Sequence, residues 1–546
     1  MAWGAPRGVD DLVAKLKANT TSSTMCILST RKFGTSDAVA FSAALSGNTS
    51  LVELLASGHP LDVAGAAAFG EALSKNSTLR SLCVGDNTFG DEGVLALVDG
   101  LRSNHGLLVL DLEYKSIASG EGLCTLLKTH PTLADLRLGR NQLGEAGIKA
   151  LSIGLSLSST LLRLDLSGNL LNGAAAEALG NALVGGISSF TPPHVTTDNH
   201  NSSNPDADQN EKVGSFEDAA EGAGSGPCPP LEFLDVSKNP LGDDGGALLF
   251  TALAASTTLT SLLLAETGLG TRAAAALSAA LGPRSLPPPT GTDAPPSMPR
   301  AAATSEDVTS SRPPPPPPTR PRSPSSTPAS STPTTNERGF SQLKTLDVSK
   351  NDFGVGGATE LAAALAGGGA PQLESLSIGY NAVGDDGASA LGGAAGLRLA
   401  LLDLSGNSLS GVGIGGVLSA PRLREAKLFH NSCGDEGVPL VLEALLAGGT
   451  VQTLDLGANG LTGAGFERLL PGLAACSSLQ TLEVGANAND GRAEEAIRRS
   501  QRANPSLDVA FRRGGEAMEG SGAPPGVGGS GAADGRSATT GSGAAD

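Results

Sequence analysis

Leucine returns in a fixed frame about every 28 residues along this chain of 546 residues. Aligned on the leucine eight residues before a recurrent asparagine, units begin at Ser23, Leu51, Leu79, Leu107, Leu133, Leu161, Leu231, Leu259, Leu343, Leu373, Leu399, Leu423, Val451 and Leu479, with a truncated unit from Leu507. Such a period constrains the architecture before any single motif does. The first part of each unit alternates. In "LEFLDVSKN", Leu234 and Val236 point one way and Phe233, Asp235 and Ser237 the other, which predicts a short strand. The second part has helical spacing: in "AAAEALGNAL", Ala175, Leu179 and Leu183 share one face. One strand and one helix cannot bury their apolar faces alone, so the units must stack into a parallel sheet backed by helices.

The asparagine sits where the strand turns away, and its amide is expected to bond backbone groups of the turn and of the neighbouring unit. It recurs as Asn87, Asn141, Asn169, Asn239, Asn351, Asn381, Asn407, Asn431, Asn459 and Asn487. The glycine that follows (Gly144, Gly242, Gly384, Gly434) allows a tight bend with no Cβ to clash. Acidic pairs such as Asp243–Asp244, Asp385–Asp386 and Asp435–Glu436 precede the helices, where carboxylates cap and complement the dipole. They lack the spacing of an EF-hand calcium loop.

These units resemble the ribonuclease-inhibitor-like class of leucine-rich repeat proteins. Similar units form the C-terminal arrays of NOD-like receptors and the Ran GTPase-activating proteins. The resemblance covers about residues 23–511 apart from two segments, and no nucleotide-binding segment accompanies the repeats. It implies an α/β fold: a right-handed βα solenoid, or horseshoe, with the parallel sheet on the concave face and the helices on the convex face. It also implies a non-catalytic scaffold that binds a protein partner on the concave face. Two alternatives share the fold: a GTPase-activating regulator of a Ran-type small GTPase, and a ciliary or cytoskeletal component or immune-type sensor. The Ran-specific class usually carries a long acidic segment after its repeats, whereas the repeats here are followed by a nearly uncharged Gly/Ser tail.

The organisation expected is an N-terminal cap helix within 1–22, repeats over 23–184, a disordered insert at 185–229, repeats over 230–282, a disordered Pro/Ser/Thr-rich insert at 283–340, repeats over 341–511, and a disordered Gly/Ser/Ala tail at 512–546. Each insert follows a helix and precedes a strand, so both can loop out of an unbroken stack. The second insert contains "RPPPPPPTRPRSP", in which Arg312, Pro315, Pro318 and Arg320 fit an SH3-type ligand in either orientation.

A formal net charge of −18 disfavours nucleic acid and anionic membrane as partners and favours basic proteins. The N-terminus has no signal-like apolar run, and no stretch is long and apolar enough to span a bilayer. The six cysteines are dispersed without metal or disulfide spacing, so buried free thiols are expected. A cytoplasmic monomer is the simplest placement. The six histidines are scattered and no nucleophile–base–acid set shares a site, so no catalytic residue, metal or cofactor is expected.

What remains is the sheet face. Its central outward position reads Ile27, Leu55, Cys83, Asp111, Arg137, Asp165, Asp235, Leu263, Asp347, Ser377, Asp403, Lys427, Asp455 and Glu483. The carboxylates in this row would create a negative field suited to a basic partner. Departures from the repeat are sharper contact candidates. Glu113, Tyr114 and Lys115 replace the usual residues around the asparagine, and Arg137, Arg140 and Tyr380 add large side chains. Lys427, Phe429 and His430 stand where other units have Asp, Ser or Gly, and Gly.

Overall fold

The computed structural model describes residues 8–183, 229–282, 340–394, 398–488 and 490–511. Among these, fifteen strands form one sheet whose spatial order is the chain order. They are β1 (Thr24–Cys26), β2 (Glu53–Ser57), β3 (Ser81–Gly85), β4 (Val109–Asp111), β5 (Asp135–Arg137), β6 (Arg163–Asp165), β7 (Phe233–Asp235), β8 (Ser261–Leu263), β9 (Thr345–Asp347), β10 (Ser375–Ser377), β11 (Leu401–Asp403), β12 (Glu425–Lys427), β13 (Thr453–Asp455), β14 (Thr481–Glu483) and β15 (Asp508–Ala510). Every neighbouring pair is parallel, and helices alternate with the strands, giving the horseshoe solenoid. A helix at Asp10–Lys17 buries Leu12 and Leu16 at the N-terminal end. The strands on either side of 184–228 are direct partners, with Leu164 opposite Leu234. So are those on either side of 283–339, with Leu262 opposite Leu346. Both segments and 512–546, including Arg312, Pro315, Pro318 and Arg320, lie outside the described residues.

The middle residue of each strand faces the helices. Leu110, Leu136, Leu164, Leu234, Leu262, Leu346, Leu376 and Leu402 are all fully buried there. Alanine and glycine fill the layer between helices, because the helices approach backbone to backbone. A Cβ on Gly100 would fall 2.0 Å from the carbonyl oxygen of Gly70, and one on Gly411 would fall 2.3 Å from the Cα of Gly437. This close spacing explains how a chain with so few aromatic residues still packs a continuous core.

The asparagines form the expected ladder. Asn239 Nδ2 donates to the carbonyls of Leu166 and Val236, while its Oδ1 accepts the backbone N–H of Asn169 (2.7 Å) and Leu171. Asn407 and Asn431 repeat this arrangement: Asn407 Oδ1 accepts the N–H of Asn381 and Asn431 Oδ1 that of Asn407, while their Nδ2 groups donate to the carbonyls of Ile378 and Leu404 in the preceding unit. Asn87 departs from expectation: β3 runs on to Gly85, and Asn87 is left exposed. Lys115, in the asparagine position of the following unit, is buried and its Nζ donates to Ser57 Oγ at 3.0 Å. Gly144, Gly242, Gly384 and Gly434 have φ of +54° to +71°, as their bend requires.

Three further points differ from the sequence reading. In the first unit the outward residue is Cys26, which pairs with Leu55, whereas Ile27 is buried. Cys26 is also exposed, unlike the buried thiols of Cys83, Cys433 and Cys476. The acids before the helices act forwards: Asp243, inside the first turn of Gly242–Leu253, accepts N–H groups of Gly270, Arg272 and Ala273 at the start of Thr271–Leu281. Each such helix start is thus tied to the unit before it. A second ladder, not foreseen from sequence, runs along the helix-to-strand turns. There Asn48, Asn76 and Asn104 each donate to carbonyls one unit back and accept N–H groups of their own turn. His130 continues it by accepting the N–H of Leu133 at Nδ1, and burial lowers its pKa to about 4.

Candidate functional site

The strand register lines up one outward column: Cys26, Leu55, Cys83, Asp111, Arg137, Asp165, Asp235, Leu263, Asp347, Ser377, Asp403, Lys427, Asp455, Glu483 and Ala510. The residue two before each of these in its strand also faces outward. Successive positions are one strand apart, about 5 Å.

The aspartates of this column have a structural task. In each, Oδ1 accepts the backbone N–H two residues on: Glu113 for Asp111, Ser167 for Asp165, Ser237 for Asp235, Ser349 for Asp347, Ser405 for Asp403 and Gly457 for Asp455, at 2.8–3.0 Å. That turn explains why aspartate recurs there. The second oxygen still carries charge into the face. For three of them the cost of burial, with neighbouring carboxylates adding to it, is visible in their acidity. Burial, with Asp165 adding repulsion, pushes Asp235 up to about 6. Asp455 rises to about 6 through burial, helped by Glu483 and Asp403 and opposed by its Gly457 hydrogen bond and by Lys427. Asp347 is also raised, chiefly by burial.

These shifts predict a pH-dependent effect. The folded state holds the Asp235 proton more tightly than the unfolded chain does. The group's stabilising contribution is therefore complete below the ordinary carboxylate range and is lost as pH rises through about 6. Asp235→Asn keeps an oxygen for the Ser237 N–H and removes the charge. It is expected to raise stability at pH 8 by about 1–2 kcal/mol, after discounting for solvent screening, and to change it little at pH 4. Urea denaturation at the two pH values checks this; a gain independent of pH would contradict it.

The sequence-selected residues fall into two groups with a stretch between them. In the N-terminal group, Asp111, Glu113, Tyr114, Arg137, Arg140 and Asp165 come together on β4–β6 and their following turns. Glu113 is pushed up to about 7 by burial and by Asp111 and Asp165, against Arg137 and Arg140. The Arg140 guanidinium carbon lies 5.3 Å from the Tyr114 ring centroid. Sequence reasoning missed Asp135, Arg163 and Phe233, which belong here. Asp135 bridges Arg137 at 3.1 Å and Arg163 at 3.7 Å, and Arg163 lies 3.9 Å over the Phe233 ring. The signal was the first strand position, which faces the same way as the third.

Asp235 and Asp347 occupy the middle with Leu263 between them. The C-terminal group comprises Tyr380, Asp403, Lys427, Phe429, His430 and Asp455. The Tyr380 and His430 rings stack with centroids 6.1 Å apart, and Phe429 and His430 are also 6.1 Å apart. Lys427 pairs with Glu425 at 3.7 Å. Among the described residues no group of His, Cys, Asp and Glu is placed to hold a metal ion, and no helix is long and apolar enough to cross a membrane.

A family model described as Leucine Rich repeat matches residues 75–98, 228–250, 342–362 and 371–392. No curated protein sequence matches the chain. Among solved structures it is similar to an internalin from Listeria monocytogenes, with 14% identity over 92% of this chain and 94% of that one and a TM-score of 0.43. It is also similar to the mouse RP105/MD-1 complex, with 15% identity over 89% of this chain and 63% of that one and a TM-score of 0.40. A third, Leiomodin-1 actin-binding site 2, is 23% identical over 23% of this chain and 77% of that one, with a TM-score of 0.21.

Proposed function

The chain is a leucine-rich repeat protein, and from that premise we propose that it is a non-catalytic scaffold whose concave sheet face takes a protein partner with a basic surface. The observation that carries this reading is the column of carboxylates on neighbouring strands, three of which, Asp235, Asp347 and Asp455, burial and nearby carboxylates make costly to ionise. A partner that brings lysine or arginine to the face relieves that repulsion. Positive charge beside Asp235 and Asp455 favours their ionised forms, so binding releases protons and strengthens as pH rises through about 6. Attraction of this kind also raises the rate of encounter and weakens with salt. One continuous array running past the segments 185–229 and 283–340 is supported by the pairing of Leu164 with Leu234 and of Leu262 with Leu346. A cytoplasmic monomer fits this role.

Affinity capture from native lysate tests the proposal in three arms: the intact chain, a chain lacking 283–339, and the variant Asp165→Asn/Asp235→Asn/Asp347→Asn. The concave-face reading expects a partner retained by the second and lost from the third. A partner lost only with 283–339 would assign binding to the Pro-rich segment and its SH3-type motif. A partner retained by all three would contradict both.

A further inference from the structure

One column at the rim of the concave face carries residues held at positive φ, immediately before the asparagine position. It includes Tyr114 (+60°), Arg140 (+58°), Tyr380 (+56°), Gly406 (+66°) and His430 (+58°). In the N-terminal half the chain supplies its own cation to this column, since Arg140 lies over Tyr114 one unit earlier. Arg163 over Phe233 repeats the same pairing of guanidinium and ring within the sheet face.

Farther along, Tyr380 takes the place of Tyr114, but the next unit offers Gly406 where Arg140 stood. The Tyr380 ring lies across that glycine: a Cβ on Gly406 would fall 2.4 Å from the ring. His430 stacks on Tyr380 from the following unit, and Phe429 continues the patch. Phe429 in turn borders Gly457, as does Asp455: a Cβ on that glycine would fall 2.8 Å from the Phe429 ring and 3.0 Å from Asp455 Oδ1. Asp403 and Asp455 flank Lys427 on the neighbouring strands, and Lys427 pairs with Glu425.

We propose that Tyr380, His430 and Phe429, with Asp403 and Asp455, seat an arginine side chain presented by an extended segment of a protein partner. The proposal rests on the concave-face reading above and names the group recognised there. A guanidinium suits the site on three counts. It is planar and stacks on aromatic faces, it is weakly hydrated, and it forks to a carboxylate. Lysine shares the charge but neither the plane nor the fork. The chain's own Arg140–Tyr114 and Arg163–Phe233 pairs show the same recognition inside the molecule.

Selection of a random-peptide display library on the intact chain tests this. Peptides that contain arginine are expected to be enriched. Binding of a selected peptide is expected to fall at least about ten-fold when its arginine is changed to lysine. A similar loss is expected for Tyr380→Asn/Phe429→Ser, in which Asn tolerates the positive φ and Ser is the usual residue of its column, and independently for Asp403→Asn/Asp455→Asn. Thermal unfolding of each variant separates lost binding from lost fold. Selected peptides that ignore these four positions but are lost with Asp165→Asn/Asp235→Asn would overturn this site and leave the concave-face reading standing. Peptides insensitive to both sets would overturn both. Enrichment of acidic or purely apolar peptides, or self-association abolished by Tyr380→Asn/Phe429→Ser, would assign the patch to a different occupant and overturn the proposal.

Discussion

Leu346→Asp is expected to destabilise the chain by more than about 4 kcal/mol and to break its unfolding into separate steps. Leu346 is fully buried at the centre of β9, between Leu262 of β8 and Leu376 of β10. A carboxylate there has no partner and must either stay charged in an apolar layer or expel its strand. The array is one-dimensional, so each unit is stabilised by its neighbours. β9 is the strand that joins the units before 283–339 to those after it, and its loss uncouples the two parts. Urea denaturation followed by circular dichroism should show a second transition absent from the parent chain. Thr345→Asp, one residue away on the outward face and half-buried, is the control and should change stability by less than about 1 kcal/mol. Equal effects at the two positions would contradict the assignment of faces.

Asn239→Ala is expected to cost about 3–5 kcal/mol. The side chain is buried and makes bonds in both directions: it accepts the N–H groups of Asn169 and Leu171 and donates to Leu166 and Val236. Alanine leaves buried donors and acceptors unpaired, at about 1–3 kcal/mol for each such group. Three of the orphaned groups, the N–H groups of Asn169 and Leu171 and the carbonyl of Leu166, lie before the 184–228 segment, so the substitution also tests whether β6 and β7 are true neighbours. Asn87→Ala, at the corresponding position of an earlier unit, should be nearly neutral because Asn87 is exposed. Hydrogen exchange at Asn169 and Leu171 reports the change directly; unchanged protection there would mean the ladder contributes little.

The contrast between Asn239 and Asn87 shows what the sequence could and could not disclose. The period, the strand-then-helix order and the inward leucines follow from alternation alone, because burial on one face imposes it. The register of the first unit does not. Met25 and Ile27 share one face and Cys26 and Leu28 the other, and all four are apolar enough to face inward; pairing with β2 buries Met25 and Ile27 and turns Cys26 outward. The second ladder was hidden for another reason. Asparagine holds this column only at Asn48, Asn76 and Asn104 before His130 replaces it, so the column lacks the run of identical residues that marks the first ladder and shares the geometry of a buried acceptor beside a strand start. On the sheet face, the aspartates were legible as a row, but their bonds to the N–H two residues on were not. That bond makes the consensus aspartate a turn element first and a charged surface second. The aromatic patch was half visible. Phe429 and His430 stood out as departures, whereas their link to Tyr380 depends on Gly406, whose lack of a side chain lets the ring cross a unit.

The claim that the concave face is where a partner binds is tested most directly by site-specific photo-crosslinking on the full chain. A photoreactive side chain is placed at Ser377 or Thr453, on the outward face of the sheet, and in separate variants at Glu360 or Glu443, on the exposed faces of the helices Gly354–Ala366 and Gly434–Leu446. Irradiation in the presence of the captured partner is predicted to give adducts from the sheet positions and none from the helix positions. Adducts from the helix positions alone would contradict the account.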